Sequence, residues 1–421
     1  MLTESKYHPE DPAVFKSKAL QWAASFKTAS YFDSNGYSDP YSAFDTLIAA
    51  GTSTEIKTFS RHAFNELQSF LDKQQCWIPG FLSYDLKNEI EDLQSSNPDH
   101  LNFPDLHFFV PEHLILIKGG EVKVLSSMPD IIEHIHKSSG SDPINFKGHI
   151  KSRYTHDEYI STVQHLQDHI RRGDIYEVNF CQEFYAENVV LDPVSAFSEL
   201  NRISPTPFAN FFKSGNQYII SATPERFLSK KGNKLISQPI KGTARRSSDP
   251  QEDKQIKSEL RNNSKEQAEN VMIVDLVRND LSKCAVNGTV RVEELFGIYS
   301  FPQVHQMIST VVCDIDPALS NTQLIKRTFP MGSMTGAPKI MAMQLIDEYE
   351  RTKRGIFSGA TGYFAPNGDF DFNVIIRSLL YNAGSKYLSF QVGSAITFDS
   401  DPEKEYEECL LKAEAIREVL K

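Results

Sequence analysis

Cysteine is scarce and scattered. The five in 421 residues (Cys76, Cys181, Cys284, Cys313 and Cys409) include no Cys-x-x-Cys pair. An odd, dispersed set reads as free thiols in a reducing cytoplasm, not as a disulfide scaffold. An excess of basic residues is also missing, with 44 Lys and Arg against 55 Asp and Glu and a net charge of −11. Without a basic cluster, nucleic acid is not an expected partner. No apolar run approaches the ~20 residues of a membrane span, and the polar stretch Met1–Pro12 lacks a signal-type core, so no membrane association is expected. No repeat of 20–50 residues and no zinc-type Cys/His spacing is visible. What remains, 40% hydrophobic and 24% charged residues, is the composition of an ordinary globular protein. A chain of this length buries about three quarters of its extended surface and needs no disulfide to fold.

The sharpest change in composition is the Ser-, Gly- and Pro-containing stretch Lys137–Lys151, which separates a region 1–145 from a larger region 150–421. Beyond it, Thr155-x-x-Glu158 is a capping box. It opens a helix with Tyr159, Val163, Leu166 and Ile170 on its apolar stripe and Gly173 at its end. Tyr176, Val178 and Phe180 then alternate with Glu177, Asn179 and Cys181, the pattern of a strand with one polar face. Ser264-x-x-Gln267 predicts a second helix to about Asp280, and the segments from Phe357 to Phe398 read as strands. Grouped strands with helices apart give an α+β class.

Tyr218–Arg246 holds two strand-like runs around Gly232-Asn233, a favoured hairpin pair. Glu225 and Lys241 lie equally far from Asn233, and a regular hairpin would set them within about 4.5–8 Å. Such a pair is either a surface salt bridge or a general acid beside an amine nucleophile; spacing alone leaves both open. Glu269 interrupts an otherwise apolar helical face with Ile273 and Leu276. Asp401 and Pro402 open a final helix, on which Glu405, Glu408 and Lys412 share a face. Acids there complement the helix dipole, yet glutamates from two helices also suit Mg²⁺, which grips a substrate anion through its oxygen ligands. Phe329–Lys339 looks like a phosphate loop but is not one, because Pro338 occupies the position of the second glycine. It reads as a glycine-bounded turn suited to a carboxylate.

Together and in order, several segments resemble the chorismate-binding enzymes, and within them component I of aminodeoxychorismate synthase. They are Gln238–Thr243, Ala268–Asp280, Phe329–Lys339, Ser358–Phe364, Phe372–Arg377 and Asp399–Glu408. The N-terminal Asp33–Tyr37, Pro40–Asp45 and Gly80–Asp85 are similar to that family's N-terminal region. The resemblance implies a two-lobed anthranilate-synthase-type α+β fold, with packed sheets, helices outside, a cleft for the site, and the two regions forming one intertwined unit. It also implies a reaction: chorismate and ammonia give 4-amino-4-deoxychorismate, on the way to p-aminobenzoate and folate. Lys241, where anthranilate synthases carry Ala, would be the nucleophile at C2. It must act as a neutral amine, with a pKa pulled down by burial or by nearby cations such as Arg245 and Arg246. Glu225 would protonate the departing C4 hydroxyl, which needs a raised pKa.

The resemblance further assigns Glu269 and Glu408, with Glu405 directly or through water, to Mg²⁺ on the ring carboxylate. Lys412 and the N–H groups of Gly393, Ser394 and Ala395 would support that end. Arg377 and Tyr363 would hold the enolpyruvyl carboxylate, and Thr243, His305 and Thr335 would line the cleft, although a lone His is more often structural. Ser34 and Tyr41 fall where relatives form a tryptophan pocket. Glu177 departs from the Gln of amine-forming relatives; it attracts or deprotonates ammonium or replaces Gln as a spacer, and the spacer is the expectation adopted. No cysteine here has a glutaminase context, so a separate class I glutamine amidotransferase subunit is the expected source of ammonia. The alternatives are anthranilate synthase component I and, from another class, a silent chorismate- or tryptophan-binding regulatory subunit.

Overall fold

The computed structural model describes residues 3–59, 61–139 and 143–421. The centre of the expected junction, residues 140–142, lies outside them. Among the described residues the strands form a twelve-stranded and a ten-stranded antiparallel sheet. The larger runs from Thr3–Tyr7 through Thr28–Asp33, Phe208–Ser214, Gln217–Thr223, Ser378–Asn382 and Tyr387–Ile396 to Glu177–Ala186 and the short Gly336–Ala337. The smaller runs from Ile240–Arg245 through Val304–Asp314, Arg226–Lys231, Phe370–Val374 and Ala360–Phe364 to Ile78–Leu82 and Thr54–Thr58. Strands from both sides of the junction stand side by side in each sheet. The boundary near 145–150 therefore divides the sequence and not the core.

Period-two alternation builds two apolar layers from one set of strands. Tyr31, Phe211, Ile220 and Leu379 face a cluster with the helices Pro12–Ala24, His156–Arg172, Pro193–Ile203 and Pro402–Val419. Their neighbours Phe32, Phe212, Ile219 and Leu380 face the layer between the sheets, with Phe81, Phe108 and Phe372. The helix Ser264–Ser282 packs on the ten-stranded sheet through Ile273, Val274 and Val277. The capping box at Thr155 and the left-handed Gly173 bound their helix as expected. The helix Ser264–Ser282 is capped by Asn263, one residue before the predicted start. Glu177–Ala186 is buried on both faces rather than one, because strands and helices cover it from each side.

Two cations, half-buried Lys339 and buried Arg354, pin the Phe329–Lys339 turn. Lys339 Nζ donates to Asp280 Oδ2 (2.5 Å) and the Pro330 carbonyl (2.8 Å). Arg354 donates to the carbonyls of Met334 (2.6 Å) and Asn179 (2.8 Å) while paired with Glu350 at 2.7 Å. Both partners of that pair are at most 3% exposed. Removing one partner of such a pair leaves a bare buried charge. Arg354→Ala should therefore lose about 3–5 kcal/mol in urea unfolding.

Candidate active site

Lys241 sits on Ile240–Arg245, where pairing with Val304–Asp314 shifts between Ile240 and Thr243. The irregularity is held by Gly242, whose φ of +103° favours glycine and whose added Cβ would lie 3.0 Å from Glu266 Oε2. Asn270, buried on the neighbouring helix, donates to the Lys241 carbonyl and accepts from Ser309 Oγ at 2.6 Å. The lysine is thus delivered into a nest of acids from three elements. Its Nζ donates to Glu177 Oε1 at 2.9 Å and lies 3.8 Å from Glu269 Oε2. Burial pulls its pKa down, but Glu177 and Glu269, with Glu408 behind them, outweigh that and raise it. This corrects the expectation of a lysine depressed by cations. Arg245 instead pairs with Glu414 and Arg246 with Asp253.

Glu225 follows Gln217–Thr223. The hairpin turns at Gly232-Asn233 as expected, with Lys231 opposite Lys234, but a bulge near Arg226 changes the register. Glu225 consequently does not pair with Lys241. Its carboxyl accepts Ser333 Oγ at 2.5 Å and the Ile240 N–H. Burial pushes its pKa up to about 7 against the opposing pull of Ser333, Ile240, Lys241 and Arg377. A carboxyl near half-protonation at neutral pH can deliver a proton. Ser333 was not among the expected site residues. Only its place in the glycine-bounded turn hinted at a role.

Arg377 takes a left-handed backbone, φ +50°, which costs a non-glycine residue about 1 kcal/mol or more. Its guanidinium makes no hydrogen bond or ion pair among the described residues, and the charged group near it is Glu225. Burial pulls its pKa down to about 10, so it stays cationic at neutral pH. Pairing of Ser378–Asn382 with Tyr387–Ile396 stops at Leu380–Ser389. The sheet therefore splits beside Arg377, and Gly393, Ser394 and Ala395 border the split. A Cβ on Gly393 would meet the Phe180 carbonyl at 2.2 Å. That carbonyl-side crowding explains the glycine, and the Gly393 carbonyl accepts Lys412 Nζ at 2.9 Å.

Unpaired guanidinium, raised-pKa acid and acid-caged lysine together form a site for an anion undergoing acid-assisted substitution. The sequence model of chorismate binding enzymes matches residues 17–418. The chain belongs to the chorismate-binding enzyme family. It is 32% identical over 416 residues to aminodeoxychorismate synthase component 1 of Escherichia coli, spanning 91% of each chain. It is also 32% identical over 363 residues to anthranilate synthase component 1 of Cereibacter sphaeroides, covering 80% of this chain and 72% of that one. Among solved structures, anthranilate synthase component I from Streptococcus pneumoniae superposes with a TM-score of 0.80 at 26% identity, covering 91% and 93% of the two chains. The expected two-lobed anthranilate-synthase-type α+β fold is the one observed.

Other chorismate-site expectations divide. Glu269 and Glu408 face common cations: Lys241 and Lys265 act on both. No group of three or more His, Cys, Asp or Glu among the described residues is arranged to hold a metal. Glu405 is buried, acts on Tyr159, and shares Cys409 with Glu408. Two glutamates around shared cations fit Mg²⁺, which takes one or two protein carboxylates and completes its shell with water and substrate. Tyr363 is not beside Arg377: its ring packs on Phe44 and Trp77 between the sheets, because strand alternation turns it to that layer. Both His305 ring nitrogens are engaged, by Ser300 Oγ (2.9 Å) and Asp253 Oδ1 (3.0 Å), which makes it structural. The Thr335 hydroxyl closes its own turn on the Met331 and Gly332 carbonyls. Thr243 is an exposed strand residue opposite Gln306. The Ser34 hydroxyl is buried without a hydrogen-bond partner among the described residues, and the Tyr41 ring stands 5.6 Å from Arg226, which is clamped by Asp371 and Asp39. Glu225 and its neighbour Arg226 thus serve opposite sides of the strand.

Proposed function

We propose that the chain aminates chorismate to 4-amino-4-deoxychorismate as component I of aminodeoxychorismate synthase. The observation that carries this reading is a lysine, Lys241, buried in the same cleft as the raised-pKa Glu225 and the unpaired Arg377. Arg377 would hold the enolpyruvyl carboxylate through its planar fork. Lys241 Nζ attacks C2 as a neutral amine, and Glu177 Oε1, 2.9 Å away, is the proton acceptor in reach. As the C2–N bond forms, the C4–O bond breaks, and Glu225 supplies the proton with which hydroxide leaves as water. Ammonia then bonds to C4, and the bond between C2 and Lys241 breaks. Glu269 and Glu408 would hold Mg²⁺, which when bound supplies charge neutralisation at the ring carboxylate. Lys412, paired with Glu408 at 2.7 Å, fixes that glutamate's position.

Product analysis tests the reading. Chorismate, Mg²⁺ and ammonium should yield 4-amino-4-deoxychorismate without pyruvate. Pyruvate and anthranilate would instead support anthranilate synthase component I, a reading favoured by relatives of that name. Glutamine alone should give no product, since ammonia would come from a separate class I glutaminase subunit in the cytoplasm; turnover of glutamine by the isolated chain would sink that part. The metal assignment predicts that Glu269→Gln and Glu408→Gln each raise the Mg²⁺ concentration for half-maximal activity about tenfold or more, weakening chorismate binding in parallel. Unchanged Mg²⁺ titrations in both would remove the two acids from the site.

A further inference from the structure

The ten-stranded sheet ends on an open edge. Among the described residues Thr54–Thr58 pairs only with Leu106–Val110, and its other side meets no strand. An open groove of about 490 Å³ runs between this strand and the helix Ala63–Leu71, lined by half-buried Ile56 and Phe70 and by exposed Glu66 and Lys73. Unpaired edges invite another strand, and a lone lysine is a common deterrent. This edge carries a lysine together with its opposite, since Glu55, Ile56 and Lys57 stand in a row. Neither charge touches a counter-charge at neutral pH. Lys57 Nζ donates to Ser214 Oγ at 2.9 Å and makes no ion pair among the described residues. Glu55 accepts from His107 at 2.8 Å, but burial pushes that ring's pKa down to about 4, which leaves it neutral. Thr3–Tyr7, an edge of the other sheet, is the contrasting case: its Glu4 and Lys6 are already paired with Lys123 and Glu121.

We propose that Thr54–Thr58 is a self-docking edge, through which two copies of this chain pair antiparallel about a twofold axis at Ile56. The sequence of the strand sets the register. With Ile56 opposite Ile56 of the second copy, each Glu55 falls opposite a Lys57, and symmetry makes the pair twice. A slip of one residue sets each charge against an uncharged neighbour, and a slip of two sets like charges face to face. The order Glu-Ile-Lys therefore selects one alignment with its own copy. Phe59, 67% exposed and just beyond the strand, is covered at each end of the pairing. The two ten-stranded sheets then run on as one. Lys241 lies on the strand at the far edge of each, so the contact covers neither cleft. The inference is independent of which reaction the clefts perform.

Sedimentation velocity of the full chain over about 1–100 µM should show a monomer–dimer equilibrium. Lys57→Glu sets Glu against Glu twice and should raise the dissociation constant about tenfold or more. Combining it with Glu55→Lys reverses both charges and makes the row complementary to itself again. That double variant should return to within about threefold of the parent. Ile56→Cys places a thiol on the axis, where facing Cα atoms stand about 4.5–5.5 Å apart, and mild oxidation should join two copies through it. A chain still monomeric at about 100 µM overturns the proposal, and the edge then serves a different protein or none. So does a dimer indifferent to Lys57→Glu, a double variant that stays as weak as Lys57→Glu, or an Ile56→Cys chain that oxidation does not cross-link.

Discussion

Lys241→Ala should lower amination of chorismate by roughly three orders of magnitude or more and abolish the covalent adduct, as removal of a nucleophile does elsewhere. Chorismate binding should change far less, because Arg377 and the acids for Mg²⁺ are untouched. The substitution also strips Glu177 of its ion-pair partner, and a carboxylate 2% exposed cannot be left bare cheaply. The alanine protein should therefore lose about 3–5 kcal/mol in denaturant unfolding. Adding Glu177→Gln should recover most of that stability without recovering activity. Parent-rate amination by Lys241→Ala would remove Lys241 from the chemistry; unrecovered stability in the double variant would mean the loss lies elsewhere.

Glu225→Gln should slow adduct formation about 10²–10⁴-fold, the usual worth of a positioned general acid. In the parent, adduct formation without ammonium should fall as pH rises through about 7, where the acid loses its proton. Omitting ammonium avoids the opposing rise in free NH₃. Stability should fall in the same direction. A carboxyl whose folded pKa is raised stabilises fully below its ordinary value, and that contribution is lost as pH rises through the raised one. Glu225→Gln should thus be more stable than the parent at pH 8, with the difference gone near pH 4. A pH-independent adduct rate between 6 and 8, or a variant no more stable at pH 8, would contradict the buried, half-protonated acid.

Local rules made much of the framework legible. The Thr155 capping box, the Asp401–Pro402 start and the Gly232-Asn233 turn all depend on neighbours within a few residues, and all appear where the sequence puts them. Side-chain partners were harder, because the sheets bring them from afar. Lys241 meets Glu177 from 64 positions away and Glu225 meets Ser333 from 108, distances over which no periodicity speaks. The arginines adjacent to Lys241 in sequence misled for the same reason: strand geometry sends them outward to Glu414 and Asp253. Tyr363 failed on a single alternation step, since one residue along a strand changes which layer a ring enters.

The interleaved sheets also constrain how the protein is made. Phe81 pairs with Thr361, and Ser30 pairs with Phe212. A ribosome that has delivered the first third of the chain has released strands whose neighbours do not yet exist. Neither sheet can close until the residues near 361 have left the exit tunnel, so early strands with open edges must wait through most of translation. Folding should therefore come late and all at once, and cutting the gene at its obvious seam should yield two insoluble fragments rather than two working halves.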